Sequence, residues 1–307
     1  MRRLPGSRGS FGREHAESLT RVPGARDTLG YTALIMDPRP IGVFDSGVGG
    51  LTVVRRLIDA LPHESIVYYG DTARGPYGPR SRDEVLAITG EIADSLVAEG
   101  VKMIVVACNS ASSAGVEHIV GAHPDVPLVE VWRPTARAAV NATRNRKIGV
   151  IGTELTIQSR MYEWAIRATR ENVQTFSHAC PEFVDFVERG ETTGKRIMAL
   201  AERYLTQLRE REVDTLILGC THYPLLQAVI QHVMGRDVVL IESDKEIATE
   251  VFDELTERDA FRPREGSPEH RFICSGDPEQ FRSLGARFLG PEIGSVELRP
   301  FEQRRGA

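Results

Sequence analysis

Met103-Ile-Val-Val-Ala-Cys-Asn-Ser-Ala-Ser112 and Leu216-Ile-Leu-Gly-Cys-Thr-His-Tyr-Pro-Leu-Leu226 share one pattern. In each segment a short apolar run ends at a small residue, and a cysteine and a polar residue follow. Continuous apolar runs of this length are typical of parallel strands that are covered on both faces. Ligands of open α/β sheets bind beyond the carboxyl ends of such strands. The pattern therefore predicts that Cys108 and Cys220 lie at two strand ends that face one cleft.

Similar apolar runs occur on both sides of these two segments. The predicted strands are Ile41–Phe44, Ser65–Tyr69, Met103–Ala107, Leu128–Val131, Lys147–Ile151, Val173–Phe176, Thr215–Leu218 and Val238–Ile241, with Arg271–Cys274 as a further candidate. Amphipathic helices are predicted between the strands. One example is Asp83–Ala98, whose N-terminus is marked by a capping box of Ser81 and Glu84. The alternation predicts an α/β fold of two similar doubly wound domains with mainly parallel sheets. The active site is expected in the cleft between the domains.

The composition narrows the functional class. The chain has 307 residues, of which 41% are hydrophobic and 26% charged, with a formal net charge of −5. This charge argues against a nucleic-acid partner, and no apolar run is long enough to cross a membrane. None of the four cysteines forms a Cys-x-x-Cys pair, and no signal peptide is visible. We therefore expect reduced thiols and a cytoplasmic protein.

Residues 1–39 differ from the rest of the chain. They are rich in Arg, Gly, Ser and Pro and show no hydrophobic periodicity. Such a segment is typical of a disordered extension. Met36 immediately precedes the first predicted strand, and it is an alternative start of translation.

The two thiols are the first candidates for chemistry. A cysteine near a helix N-terminus has a lowered pKa. Asn109 or Ser110 is predicted to cap a helix after Cys108, and Thr221 is predicted to cap one after Cys220. Two thiols in matching positions predict an acid and a base that act on one substrate.

Three further segments carry candidate groups. Asp45 ends the first strand, and the glycine-rich turn after it exposes N–H groups that suit an anion. Tyr77 is predicted at the tip of the Gly70–Ser81 loop. His222 either orients the neighbouring thiol or, with Cys220, contributes to a zinc site, for which the spacing is weak support. From spacing alone Glu188 is a surface acid. Cys180 and Cys274 lack the strand-end pattern and are interpreted as structural.

Five segments together resemble the glutamate racemases, a family of cofactor-independent isomerases. The segments are GVFDSGVGGLTV (42–53), GDTARGPYGPRS (70–81), VVACNSAS (105–112), ACPEFVDFVERG (179–190) and LILGCTHYPLL (216–226). The resemblance implies conversion of L-glutamate to D-glutamate for peptidoglycan. It also implies a homodimer that needs neither a cofactor nor a metal. It further implies a first domain of residues 40–132 and 243–307, and a second domain of residues 133–242.

The resemblance also implies roles for individual residues. Cys108 and Cys220 match the two catalytic cysteines, and Asp45, Glu188 and His222 match the groups that assist them. The positions that match substrate contacts are Asp45, Ser46, Tyr77, Gly78, Asn109, Ser110, Thr221 and His222. Ser110 stands where the family usually has threonine, so the hydroxyl is retained.

Three alternatives stay open at this point. A sister racemase that acts on aspartate has the same two-cysteine frame. The Asp-Ser-Gly-x-Gly-Gly loop is also compatible with a phosphate-binding ATPase. A non-catalytic binding or regulatory protein can keep the same fold.

Overall fold

The computed structural model describes residues 36–169 and 172–301 of the chain. The predicted extension lies mostly outside these ranges. The strands β1 to β10 within these ranges are Ile41–Asp45, Ile66–Gly70, Met103–Val106, Leu128–Glu130, Lys147–Gly152, Gln174–Ala179, Thr215–Gly219, Val239–Glu242, His270–Cys274 and Val296–Leu298. The helices α1 to α12 are Leu51–Ala60, Arg82–Ala98, Asn109–Ala114, Glu117–Ala122, Trp132–Ala142, Glu154–Ser159, Met161–Ala168, Glu182–Glu188, Lys195–Glu210, Gln227–Met234, Ser243–Glu257 and Pro278–Leu289.

Two parallel sheets organise the described residues. The first sheet has the order β10-β9-β2-β1-β3-β4, and the second has the order β6-β5-β7-β8. Every strand pair in both sheets is parallel. The predicted α/β fold with mainly parallel sheets is therefore confirmed. Strands such as β1, β3 and β7 are buried at every position, because helices cover both faces of each sheet.

The capping box predicted for α2 is also confirmed. The Ser81 hydroxyl accepts from the Glu84 N–H at 3.3 Å, and the Glu84 carboxylate accepts from the Ser81 N–H at 3.0 Å. These bonds satisfy N–H groups that have no partner within the helix. Helix α2 thereby starts at Arg82, one residue before the predicted start at Asp83.

Strand β10 was not predicted. It has only three residues, and Glu297 and Leu298 are exposed. Its main-chain pairing with β9 is supported by Arg271 and Arg299, which both contact Glu297. An exposed edge strand of this kind lacks the apolar run from which the other strands were predicted.

None of the helices in residues 36–169 and 172–301 is long and apolar enough to cross a membrane.

Candidate active site

The candidate catalytic residues lie at or just after the carboxyl ends of three strands. Asp45 is the last residue of β1, Cys108 follows β3 by one residue, and Cys220 directly follows β7. Strands β1 and β3 are neighbours in the first sheet, and β7 is central in the second. The two thiols therefore come from different sheets, and both line the same cavity.

This cavity is small and is built from both halves of the fold. Its volume is ≈ 20 Å³. The lining residues are Ser46, Pro76, Tyr77, Gly78, Cys108, Asn109, Ser110, Thr153, Val184, Cys220, Thr221 and His222. Because one water needs about 10–15 Å³, the cavity as it stands has no room for an amino acid. The cavity must therefore widen before an amino acid can bind in it.

Cys108 is itself the N-cap of α3. Its Sγ accepts from the Ala111 N–H at 3.4 Å and donates to Ser46 Oγ at 3.7 Å. The expectation that Asn109 or Ser110 caps this helix is wrong, because the backbone turns helical one residue earlier. Burial raises the pKa of the Cys108 thiol well above its usual range, and the charge of Asp45 raises it further.

Cys220 belongs to a chain of three side chains. Its Sγ lies 3.9 Å from His222 Nδ1, and His222 Nε2 lies 3.2 Å from Glu188 Oε1. The His222 side chain is 6% exposed, whereas that of Glu188 is 41% exposed. Burial opposes a charge on His222, but the contacts with Cys220 and Glu188 outweigh burial and raise the pKa of the imidazole to about 10. Glu188 is therefore the partner of His222 rather than an isolated surface acid.

Thr221 does not cap a helix, contrary to expectation. The residues after it form a 3-10 turn, Tyr223–Leu226, before α10 begins. The Thr221 hydroxyl is instead 3.5 Å from both Asp45 Oδ1 and His222 Nδ1. The side chain thus joins the two strand ends instead of closing a helix.

Asp45 lies behind the cavity rather than in its wall. It is fully buried, and its Oδ2 accepts from the Gly47 N–H at 3.1 Å. Burial raises its pKa, and the charge of His222 offsets this only in part. The glycine-rich turn therefore directs the Gly47 N–H to Asp45 itself. The turn is packed against the second half of the fold. This packing does not favour the interpretation of the turn as a phosphate-binding loop.

Tyr77 is not exposed at a loop tip. It is fully buried, and its hydroxyl donates to Asp71 Oδ2 at 2.6 Å. Asp71 also accepts from Ser275 Oγ at 2.6 Å and from Arg74 Nε at 2.8 Å. This buried carboxylate holds the loop so that Tyr77 and Gly78 face the cavity.

Two predicted substrate contacts are hydrogen-bonded to residues that the sequence did not indicate. Ser110 Oγ lies 2.8 Å from Thr153 Oγ1, and Asn109 Oδ1 accepts from the Tyr162 hydroxyl at 2.6 Å. Asn109 Nδ2 also donates to Ser243 Oγ at 3.4 Å. Thr153 follows β5 directly, so the strand-end rule that indicated the cysteines applies to it as well. Tyr162 and Ser243 carry no such local signal.

No group of three or more His, Cys, Asp or Glu side chains in the described ranges is arranged to hold a metal ion. The contact of His222 with Glu188 places its second ring nitrogen in a hydrogen bond. The arrangement therefore favours the role of His222 in orienting the thiol over the weak zinc interpretation.

Comparison with known proteins agrees with this geometry. The Asp/Glu/hydantoin racemase family model matches residues 41–251. A glutamate racemase of Mycobacterium tuberculosis (strain ATCC 25177 / H37Ra) is 54% identical over 259 residues, covering 84% of this chain and 95% of the relative. A glutamate racemase of Beutenbergia cavernae is 52% identical over 274 residues, covering 85% and 93%.

Solved structures show the same relationship. The crystal structure of a glutamate racemase from Francisella tularensis, in complex with D-glutamate, is 35% identical with a TM-score of 0.81. The match covers 86% of this chain and 98% of that one. This extent of similarity agrees with the two cysteines at strand ends in two parallel sheets. The chain therefore belongs to the Asp/Glu/hydantoin racemase family and, within it, to the glutamate racemases.

Proposed function

We propose that this protein interconverts L-glutamate and D-glutamate without an organic cofactor and supplies D-glutamate for peptidoglycan. The observation that carries the proposal is that Cys108 and Cys220, from two different sheets, line one cavity. Racemisation needs a base on one face of Cα and an acid on the other, and two thiols that reach one cavity from different sheets suit this requirement.

The two thiols have chemically different neighbours. Cys108 lies beside Asp45, and burial and that carboxylate both favour its neutral form. Cys220 faces His222, and an imidazolium stabilises negative charge on the sulfur that it contacts. We propose that Cys220 acts as the base and Cys108 as the acid in one direction of the reaction. Cys220 then removes the Cα proton of one enantiomer, and Cys108 delivers a proton to the opposite face.

The remaining cavity residues suit the two carboxylates of the substrate. Ser46, Asn109, Ser110 and Thr221 carry hydroxyl or amide groups that can donate hydrogen bonds. Ser110 and Asn109 are held in place by partners from other elements, so their groups are oriented before the substrate arrives. Closure of the cleft excludes water, which strengthens these contacts.

We also propose the domain limits and the assembly. The first domain comprises residues 40–132 and 243–307, and the second comprises residues 133–242. This division is supported by sheet membership, because β1–β4, β9 and β10 form one sheet and β5–β8 the other. The protein is proposed to be a cytoplasmic homodimer. Light scattering coupled to gel filtration measures the molar mass in solution and so tests the dimer.

The function is tested by following the circular dichroism of L-glutamate with enzyme and no added cofactor, in D₂O. We expect loss of optical activity together with deuterium at Cα. Faster turnover of L-aspartate than of L-glutamate would support the sister racemase instead. Binding of glutamate without any exchange at Cα would support the non-catalytic alternative.

The two-base mechanism predicts the behaviour of single variants. Cys108→Ala and Cys220→Ala should each reduce racemisation by about 10²–10⁴-fold, because each variant lacks one proton-transfer group. Each remaining thiol still reaches one face of Cα. The two variants should therefore exchange the Cα proton of opposite enantiomers, as measured by NMR in D₂O. Full racemisation by either variant would refute the mechanism.

A further inference from the structure

A second cavity lies behind His222, next to the one that contains the thiols. Its volume is ≈ 110 Å³, which has room for several waters. It shares Ser46, Pro76 and His222 with the smaller cavity, and Glu188 and helix α12 form part of its other walls. The mechanism proposed above does not use this space.

Both thiols have a hydrogen-bonding partner in the wall of this second cavity. Cys108 Sγ donates to Ser46 Oγ at 3.7 Å. Cys220 Sγ is 3.9 Å from His222 Nδ1, and the Nε2 of the same ring contacts Glu188 at 3.2 Å. Glu188 is 41% exposed, so this chain of groups ends in solvent. The cavity is thus connected to Cys108 through a hydroxyl and to Cys220 through an imidazole.

A two-base racemase must restore the protonation of both of its catalytic groups between turnovers. After one turnover the base has gained a proton and the acid has lost one, so the enzyme is left in the opposite protonation form. A second turnover in the same direction requires that the first form be restored. The cavity that contains the thiols has a volume of only ≈ 20 Å³, both thiols are almost fully buried, and Asp45, the other neighbour of Cys108, is fully buried.

We propose that the second cavity is the route by which solvent protons reset the two thiols between turnovers. The inference rests on the proposed two-cysteine function. The surplus proton on the Cys220–His222 pair leaves from His222 Nε2 to Glu188 and passes to water. One proton from water reaches Cys108 through the Ser46 hydroxyl, which gives up its own proton as it accepts another. One proton is lost and one is gained, so the enzyme returns to its first form without net change.

The test fills the cavity without changing any group that touches the substrate. Leu284 lies in its wall on α12, and Leu284→Phe adds bulk there. Ser283→Leu is the matched control, since Ser283 is on the same helix but lines a different surface pocket. Gln280→Leu is a second test variant that makes the wall apolar. Thermal unfolding of each variant establishes that it is folded.

Two rates are compared for each variant. In a single turnover with excess enzyme, Leu284→Phe and Gln280→Leu should racemise L-glutamate within about twofold of the unchanged protein, because chemistry does not need the reset. In steady state at high total concentrations of both enantiomers, slow reset makes the net rate fall, because L-glutamate captures one enzyme form and D-glutamate captures the other before reset occurs. We expect this fall to begin at a substrate concentration about tenfold lower in both variants, and not in Ser283→Leu.

Three results would overturn the proposal. One is an unchanged onset of the fall in both Leu284→Phe and Gln280→Leu, and another is an equal shift of the onset in Ser283→Leu. The third is an equal loss of single-turnover and steady-state rates, which would mean that the cavity supports the chemistry itself. Failure of the proposed function gives a different result, namely no exchange at Cα by the unchanged protein.

Discussion

Gly49 shows how one missing side chain permits the site to close. A Cβ at this position would lie 2.3 Å from Thr221 Oγ1 and 2.7 Å from His222 Nδ1. Both distances are shorter than any ordinary contact, and both atoms belong to the opposite half of the fold. Gly78 has the same function on the other side of the cavity, where a Cβ would lie 2.9 Å from Thr153 Cβ.

Gly49→Ala should therefore impair catalysis without unfolding the protein. The added methyl group displaces Thr221 and His222, and a displacement of about 1 Å at a catalytic group can cost about 10²-fold in rate. We expect a fall in kcat/KM for glutamate of this order. Gly47→Ala is the control in the same turn, since no atom lies within 4 Å of its added Cβ. Equal losses in the two variants would contradict the close-approach argument.

His222 gives a prediction for the dependence of stability on pH. Its pKa is raised from 6.5 to about 10, so the folded protein holds this proton more tightly than the unfolded chain does. The resulting stabilisation is fully present below about pH 6.5 and is lost as the pH rises through about 10. The difference in unfolding free energy between the protein and His222→Asn should thus decline from pH 6 to pH 10 in urea titrations.

His178 provides the control for this experiment. Burial lowers the pKa of His178, which is the opposite direction. His178→Asn should show no such decline between pH 8 and pH 10, because His178 is already neutral there. A parallel decline in both variants would assign the effect to other groups.

At the scale of elements, α2 forms from local signals and lies apart from the chemistry. Its N-terminus is fixed by the bonds of Ser81, and its buried face packs on the first sheet through residues such as Val85, Ile88 and Ile92. Each signal is contained within a few residues of the helix. This is why the helix was predicted with nearly its observed limits.

Ser81→Ala should lower the unfolding free energy by about 1 kcal/mol, because the helix loses its side-chain cap. The turnover of glutamate should not change, since Ser81 does not line the cavity. Chemical denaturation measures the first effect and circular dichroism of the substrate the second. A change in turnover with unchanged stability would show that α2 has a role in the site instead.

At the scale of the whole molecule, a buried ion pair holds the segment that leads back into the first sheet, after α11, against the start of the described chain. Lys102 Nζ lies 2.7 Å from Glu64 Oε2, and both side chains are almost fully buried. The ammonium also donates to the carbonyls of Asp37 at 3.0 Å and Ala260 at 2.7 Å. The other oxygen of Glu64 accepts from the Arg262 N–H at 2.8 Å. These contacts join the start of the described chain to the segment that follows α11.

Lys102→Met should destabilise the protein by about 3–5 kcal/mol, because it leaves the buried charge of Glu64 without its partner. Lys147→Met is the control: Lys147 pairs with Glu212 at 2.9 Å, but this pair is exposed. Its loss should cost about 1 kcal/mol or less. Similar losses in the two variants, measured in urea, would show that the Lys102 contacts do not hold the returning segment.

The sequence by itself determined the order of strands and helices, the parallel sheets and the position of Asp45, Cys108 and Cys220 at strand ends. These features depend on runs of apolar residues and on caps, which are local and can be recognised in a single sequence. The helix caps predicted after the cysteines were wrong, because the Cys108 thiol itself caps α3, and Thr221 contacts Asp45 and precedes a 3-10 turn. Strand β10 was missed because it is exposed.

Only the tertiary structure decided which groups meet. The contacts of His222 with Glu188 and of Asn109 with Tyr162 and Ser243 join residues far apart in the chain. The need for glycine at position 49 likewise depends on how closely the two sheets approach. Such contacts depend on the relative position of packed layers, and no local pattern encodes it. The sequence thus indicates where the two thiols are, and the packing of the sheets determines the partner that each one has.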